Sequence, residues 1–275
     1  MQAAWHVLAL TFSSMCTIAI LFGIADAPLV IAANRDELYA RPTRPPEPLA
    51  PRVVGGVDAL SGGTWLAVNG EGRFAAVTNQ RALDPPPQGL RSRGLAVREL
   101  ASAADPDAYV AALDPRAYAS MNLIWGDAER VQIAYLRHDA GAREGGLRPT
   151  FEIVSLSRGV HVLCNDRLGA AGFPRCARLT SEINAALGEI RGWPELSTRL
   201  EVALADHTRL PLAEVPPSHL PAELARELTA TCIHSEHYGT RSSTIVAIER
   251  GRVLEYLHAD GPPCVTPFVD KRSLL

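Results

Sequence analysis

Short apolar runs separated by turn residues dominate the first third of the chain. The runs Cys16–Phe22 and Leu29–Ala33 are rich in β-branched residues and predict two strands joined by a turn that contains glycine and proline. Trp65–Asn69 and Arg73–Thr78 flank a Gly-Glu-Gly turn and predict a second hairpin. The proline-rich stretch 41–51 predicts an extended loop that crosses the surface between the two hairpins.

The rest of the chain alternates between helical and strand patterns. Helical spacing predicts a helix at Arg93–Ala103, and Asp105 followed by Pro106 has the residue types that begin another. Further strands are predicted at Asn122–Trp125, Val131–Leu136, Phe151–Leu156 and Val160–Cys164, further helices at Leu179–Leu187 and Glu195–Leu204, and a closing hairpin at Thr244–Ile248 and Val253–Leu257. This order suits two antiparallel sheets covered by helices in one domain.

Composition excludes several classes of partner. The net charge is -3, from 27 basic and 30 acidic residues, so no basic face is available for nucleic acid. No stretch approaches the roughly 20 apolar residues of a membrane span. The 5 cysteines are odd in number and lack C-x-x-C spacing, which indicates neither a disulfide framework nor a zinc knuckle. Widely spread cysteines fit a reducing compartment, so we expect a cytoplasmic protein. The excess of arginine over lysine favours a bacterial source. The sequence does not indicate an oligomeric state.

The first residues allow two interpretations. The apolar segment Met1–Ala27 ends in residues that resemble a signal-peptide cleavage site, which would make the protein an exported acylase. However, no lysine or arginine precedes Arg35, and Cys16–Phe22 has the pattern of a buried strand. We therefore predict that residues 1–14 are an extension or a misassigned start and that residues 15–275 form one domain.

Cys16 directly follows a methionine, and this position has two explanations. It is a small buried hydrophobe, or removal of the methionine leaves its thiol beside a free α-amine. Such an amine has a pKa near 8 and can act as the general base for its own nucleophile. The site would also need a cation, a carboxylate and donors for an oxyanion. Arg35 and Asp36 follow one hairpin later, within reach of Cys16.

A succession of short motifs resembles one known family. In chain order the motifs are Met15-Cys16-Thr17-Ile18, Asn34-Arg35-Asp36-Glu37, Arg41-Pro42, Val54-Gly55-Gly56-Val57-Asp58, Gly62-Gly63-Thr64-Trp65-Leu66, Thr78-Asn79, Asn122-Leu123-Ile124, Gly159–Asn165 and Tyr238–Thr244. Each motif is weak alone, but their order is specific. From Met15 to about residue 260 the chain resembles the NRDE family, also called the transport and Golgi organisation family.

That family is in turn similar to the cysteine N-terminal-nucleophile hydrolases, such as penicillin V acylases and bile-salt hydrolases. The resemblance implies an α+β chain with a four-layer αββα fold. It implies six site residues: Cys16 as the nucleophile, Arg35 and Asp36 to tune and orient the amine and thiolate, Asn79 and Asn165 as oxyanion donors, and Arg241 to complete the polar floor. Structural explanations stay open: Asn79 and Asn165 can cap strands, and Arg241 can pair with Asp36 inside the protein.

Two functions follow from this resemblance. The first is hydrolysis of a non-peptide amide through a thioester on Cys16, which needs no cofactor. The second is a non-catalytic carrier of haem or of a lipid or acyl-CoA, because some family members are linked to such ligands. The candidate haem ligands are Cys16, His161, His234 and His237. A mature chain that keeps Met1–Ser14 has no free amine on Cys16 and favours the carrier.

Two other sets of residues bear on ligand binding. The glycine pairs at 55–56 and 62–63 lack a nucleotide-loop pattern and more plausibly allow tight turns and close backbone approach. The segment Cys232–His237 offers soft metal ligands at short spacing, but no independent ligand set is visible in the sequence. The sequence therefore predicts no metal site.

Overall fold

Two antiparallel sheets form the centre of the protein. The structure is a computed structural model that describes residues 16–24, 27–81, 87–137, 150–190, 192–218 and 220–275. The six-stranded sheet has the order β10-β1-β2-β11-β12-β13, and the seven-stranded sheet has the order β3-β4-β5-β6-β7-β8-β9. The strands are β1 (Thr17–Phe22), β2 (Leu29–Leu38), β3 (Thr43–Ala50), β4 (Val53–Asp58), β5 (Leu66–Asn69), β6 (Arg73–Asn79), β7 (Met121–Gly126), β8 (Val131–Arg137), β9 (Thr150–Ser155), β10 (Gly159–Leu163), β11 (Tyr238–Glu249), β12 (Arg252–Ala259) and β13 (Val269–Asp270).

Helices cover the outer face of each sheet. They are α1 (Arg93–Ser102), α2 (Pro106–Ala111), α3 (Pro174–Glu189), α4 (Trp193–Leu204) and α5 (Ala222–Glu227). The Asp105 side chain accepts from two backbone amides of α2, as its sequence position predicts. Among the described residues, no helix is long and apolar enough to cross a membrane.

The strand periodicity distributes most apolar side chains of the sheets among three layers. Alternate residues of β1 and β2, such as Ile20 and Ile31, pack against Ile124 and its neighbours between the two sheets. The intervening residues, such as Leu21, pack against α3 and α4, and the outer face of the seven-stranded sheet packs against α1. The four-layer αββα arrangement is therefore confirmed.

Two sequence predictions about strands need correction. The proline-rich segment 41–51 is not a loop, because Thr43–Ala50 forms the edge strand β3. Prolines are tolerated there because an edge strand pairs on one side only, and the register with β4 shifts at two points. Similarly, β2 does not end before the Asn-Arg-Asp-Glu motif but runs through it to Leu38, since β11 pairs with it along its whole length.

The sequence also predicts no disulfide, and this is wrong for one pair. Cys164 follows β10 and Cys176 lies in the first turn of α3, and the two are disulfide-bonded across 12 residues of chain. The loop between these elements returns on itself, which brings the two cysteines together. Cys16, Cys232 and Cys264 keep their thiols.

Candidate functional site

Cys16 lies beside two of the residues implied by the resemblance. Thr17 pairs with Asn34 on β2, so the antiparallel register continues to place Cys16 opposite Arg35. On the other side Ile18 pairs with Leu163 of β10, and the same continuation places Cys16 next to Asn165. Cys16 is 8% exposed. It is two residues from Ile18 and therefore on the same face of the strand, which faces the second sheet. The cysteine is therefore buried between Arg35 and Asn165.

The Arg35 guanidinium is held between an aromatic ring and a carboxylate. It lies 4.4 Å from the centroid of the Trp65 ring and 3.6 Å from a carboxylate oxygen of Glu37. Burial lowers the pKa of Arg35, and charge interactions with Glu37 and with Cys16 oppose that effect. Glu37 also meets Arg41, which pairs with Asp58 at 2.6 Å. Charges of alternating sign thus extend from the cysteine toward the surface.

Asp36 points to the opposite face of β2 from Arg35, because adjacent strand residues alternate. It is fully buried, accepts a hydrogen bond from the Thr240 hydroxyl at 2.7 Å, and lies 3.6 Å from the guanidinium of Arg175. Burial raises the pKa of Asp36 to about 6, although Arg175 and Thr240 lower it. The Asp36 side chain therefore lies on the helix-facing side of β2, behind the face that carries Arg35. Its role in orienting an amine stays a prediction.

Asn34 has a structural role that accounts for its whole side chain. Its amide nitrogen donates to the carbonyls of Leu204 and Thr231, each at 2.9 Å, and its oxygen accepts from the Ser243 hydroxyl. These bonds connect β2 to the end of α4 and to the segment before β11. Asn34 therefore fastens the helical layer to the sheet.

Asn79 and Asn165 meet at the same end of the sheets. The Asn165 side-chain amide donates to the Asn79 carbonyl at 2.9 Å, and the Asn165 carbonyl accepts from the Arg81 amide at 2.8 Å. The Asn122 amide also donates to the Asp166 carbonyl at 3.0 Å, which ties the seven-stranded sheet to the loop after β10. These bonds agree with a strand-end role, and donation to an oxyanion stays a prediction.

Arg241 lies on β11 and contacts the end of β2 and the residues that follow it. The register between β2 and β11 shifts between Thr240 and Ser242, so Arg241 is the extra residue of a bulge. Its guanidinium donates to the carbonyls of Leu38, at 3.2 Å, and of two residues in the following loop. The buried partner of Asp36 is thus Arg175 rather than Arg241. A place for Arg241 in the polar floor stays a prediction.

Sequence reasoning missed three residues of this region: Arg93 and Tyr238, which interact with the charge of Cys16, and Arg175, which pairs with Asp36. Burial lowers the pKa of Arg93 to about 10, and charge interactions with Glu37 and Cys16 oppose this effect. Burial raises the pKa of Tyr238, and the charges of Asp36 and Cys16 raise it further. The arginines begin or nearly begin helices and follow no apolar strand, so no local pattern distinguishes them from surface residues.

A close approach of two backbones brings Arg93 to the site. A Cβ on Gly63 would lie 2.4 Å from the carbonyl carbon of Gly94, and the Thr64 amide donates to the Gly94 carbonyl at 3.0 Å. The first turn of α1 therefore rests directly on the segment after β4. This confirms, for Gly63, the prediction that the glycine pairs at 55–56 and 62–63 allow tight turns and close backbone approach.

The histidines predicted as haem ligands have contacts of their own. His161 lies within hydrogen-bond distance of the Ser157 carbonyl, at 2.7 Å, and pairs with Ile20 along β1. His237 lies 3.4 Å from the carboxylate of Glu236. His234 contacts two cysteine thiols. Haem binding by any of these residues stays a prediction.

The αββα layering is that of the N-terminal-nucleophile hydrolases. Among solved structures, a mutant of the conjugated bile acid hydrolase from Clostridium perfringens superposes with a TM-score of 0.51 at 11% identity, and the match covers 94% of this chain and 93% of that one. Within this class of fold, the chain belongs to the Transport and Golgi organisation 2 family, whose sequence profile matches residues 15–259.

Animal relatives support this membership. The Transport and Golgi organization protein 2 homolog of Bos taurus is 29% identical over 237 residues, which are 80% of this chain and 82% of the relative. The Homo sapiens homolog is 26% identical over 243 residues with the same coverage. The resemblance inferred from the ordered motifs is thereby confirmed.

Proposed function

We propose that the protein is an amide hydrolase that uses Cys16 as its nucleophile and acts on a non-peptide amide. The position of Cys16 carries this proposal. The thiol is buried at the head of β1, opposite Arg35 and next to Asn165, and it interacts with the charges of Arg35 and Arg93. Nearby cations stabilise a thiolate, which is the nucleophilic form of cysteine.

The reaction has two halves that balance without a cofactor. The α-amine of Cys16 takes the thiol proton, and the thiolate adds to the carbonyl carbon of the substrate amide. The C–N bond of the substrate then breaks, and the α-ammonium group returns the proton to the amine product that leaves. Water then gives a proton to the α-amine and adds to the thioester as hydroxide. The C–S bond breaks, the carboxylic acid is released, and the α-ammonium group returns the proton to the Cys16 thiolate. Asn79 and Asn165 are the candidates to hydrogen-bond the oxyanion in both halves.

This mechanism requires Cys16 to be the first residue of the mature chain. N-terminal sequencing and intact mass of the untagged protein from its native host test this requirement directly. Release of Cys16 as the first residue supports the hydrolase. A mature protein that retains residues 1–14 contradicts an amine-assisted mechanism.

Chemical trapping tests the nucleophile itself. The protein is incubated with a panel of acylated amines, quenched in acid, and searched by mass spectrometry for an acyl group on the peptide that contains Cys16. Cys16→Ser and Cys16→Ala are expected to lose the adduct and turnover, while Arg116→Gln, at an exposed salt bridge with Asp114, serves as the control. An adduct on Cys264 instead would overturn the proposal.

The carrier function is tested on the same samples. If the native protein shows no turnover and binds hemin with a shifted Soret band, the fold serves as a ligand carrier. Loss of that shift in Cys16→Ser or in a His161, His234 or His237 variant would identify the ligand.

A further inference from the structure

Four side chains that can bind a metal lie close together in the loops next to β11. They are His207, which follows α4, Cys232 and His234, which precede β11, and Cys264, which lies between β12 and β13. One ligand atom from each lies within 4.8 Å of all the others. The sequence shows only the Cys232–His234 pair, because His207 and Cys264 are each more than twenty residues from it along the chain.

The separations match a tetrahedral zinc site. Zinc binds sulfur at about 2.3 Å and imidazole nitrogen at about 2.0 Å, so ideal tetrahedral neighbours stand about 3.8 Å apart for two sulfurs and about 3.5 Å for sulfur and nitrogen. The thiols of Cys232 and Cys264 are 3.8 Å apart, and His234 Nε2 lies 3.4 Å and 3.3 Å from them. Three ligand atoms already occupy corners of that tetrahedron.

His207 supplies the fourth corner. Its ring centroid is 4.9 Å from that of His234, one of its ring nitrogens lies within 4.8 Å of the other three ligand atoms, and the side chain is exposed. Two thiolates and two imidazoles are a ligand set typical of zinc. The protein fills all four positions, which is characteristic of a structural rather than a catalytic metal.

The backbone that carries these ligands is held in place. The Cys232 amide donates to the Asp206 carbonyl at 2.8 Å, which joins the His207 loop to the Cys232 segment. The Ile233 amide donates to the Thr240 hydroxyl at 2.9 Å, so the residue between Cys232 and His234 is fixed to β11. A metal at this position would connect the three loops that carry His207, the Cys232–His234 pair and Cys264.

We infer that His207, Cys232, His234 and Cys264 bind one structural Zn²⁺ ion. The ion ties the end of α4 and the β12–β13 loop to the segment that leads into β11. It is independent of the proposed hydrolase, because that mechanism assigns no role to any of the four residues. On binding, each thiol gives up one proton and the imidazoles bind as neutral ligands.

Metal content tests the site directly. The full-length protein, purified without a histidine tag, is stripped with EDTA under reducing conditions, incubated with one equivalent of ZnCl₂, desalted and measured by inductively coupled plasma mass spectrometry. We expect about one zinc per chain, bound at least tenfold more tightly than by Cys264→Ala. Replacement by CoCl₂ should give the intense visible bands of tetrahedral cobalt and a sulfur-to-cobalt charge-transfer band.

Three further variants keep the test decisive. His207→Gln changes an exposed residue and should weaken zinc binding at least tenfold even if Cys264→Ala fails to fold. His237→Gln, at a nearby histidine outside the cluster, and Cys16→Ser should both keep the metal. Zinc below a tenth of an equivalent in the reduced wild-type protein, or equal binding by the wild type and His207→Gln, would overturn the inference.

Discussion

The Thr240 hydroxyl donates to the buried Asp36 carboxylate while accepting a hydrogen bond from the Ile233 amide. This single side chain therefore links the floor of the candidate active site to the segment that carries Cys232 and His234. The link would join the proposed nucleophile site and the proposed metal site through one framework. A metal that stiffens the segment before β11 would also fix the hydroxyl that contacts Asp36.

Asp36 should make stability depend on pH between about 4 and 6. Burial raises its pKa from 3.8 to about 6, so the folded protein holds the proton more tightly than the unfolded chain. Raising the pH through this window therefore lowers the free energy of unfolding, by at most about 3 kcal/mol, and the contribution is constant above it. Urea titrations at several pH values should show this slope in the wild type and lose it in Asp36→Asn.

Thr240→Val provides the directional control for this effect. The Thr240 hydrogen bond lowers the pKa of Asp36, so its removal should move the upper end of the pH window above 6. An unchanged slope in Asp36→Asn would show that another group causes the pH dependence.

Arg93 should increase the reactivity of Cys16. The two groups interact through charge, so Arg93→Gln removes a cation that favours the thiolate. We expect iodoacetamide to alkylate Cys16 about three- to tenfold more slowly at pH 7, measured by peptide mass spectrometry. The rate at high pH should be unchanged, with the midpoint of the pH–rate curve moved upward. Arg116→Gln is the surface control, and an equal rate in Arg93→Gln would count against this role.

Asn34 should matter for stability more than for reactivity. Asn34→Ala leaves the buried carbonyls of Leu204 and Thr231 without their donor, which should cost about 3 kcal/mol of unfolding free energy in urea. Asn34→Asp replaces the donor by a second acceptor and should be at least as unstable at neutral pH. In folded Asn34→Ala, iodoacetamide should alkylate Cys16 at the wild-type rate. A large change in that rate would indicate that Asn34 acts directly in the site.

Gly63 should not tolerate a side chain. A Cβ there would lie 2.4 Å from the backbone of Gly94, and no flexible group can move aside. Gly63→Ala should therefore lose about 2 kcal/mol of stability and displace α1 with Arg93, which also slows alkylation of Cys16. Gly188→Ala in α3 is the matched control, because open space surrounds it, and it should gain about 0.5–1 kcal/mol. Equal stability of the two variants would contradict the close approach.

Local patterns predicted most of the regular elements. The hairpin around residues 70–72, the helix α1 and the Asp105 cap all form where the sequence places them, because periodicity and turn residues are local signals. Two errors came from the same source. The strand β3 and the extension of β2 through its polar motif depend on pairing with distant partners, which overrides proline content and polarity.

The sequence by itself determined the family, since the ordered motifs are specific, and through that resemblance the layered fold. Only the tertiary structure decided which polar side chains meet. It separated Arg35 and Asp36 onto opposite faces of β2, gave Asp36 the partner Arg175, and assembled His207 and Cys264 with Cys232. Such contacts join residues far apart in the chain, and their positions follow from strand register and loop packing rather than from any local pattern.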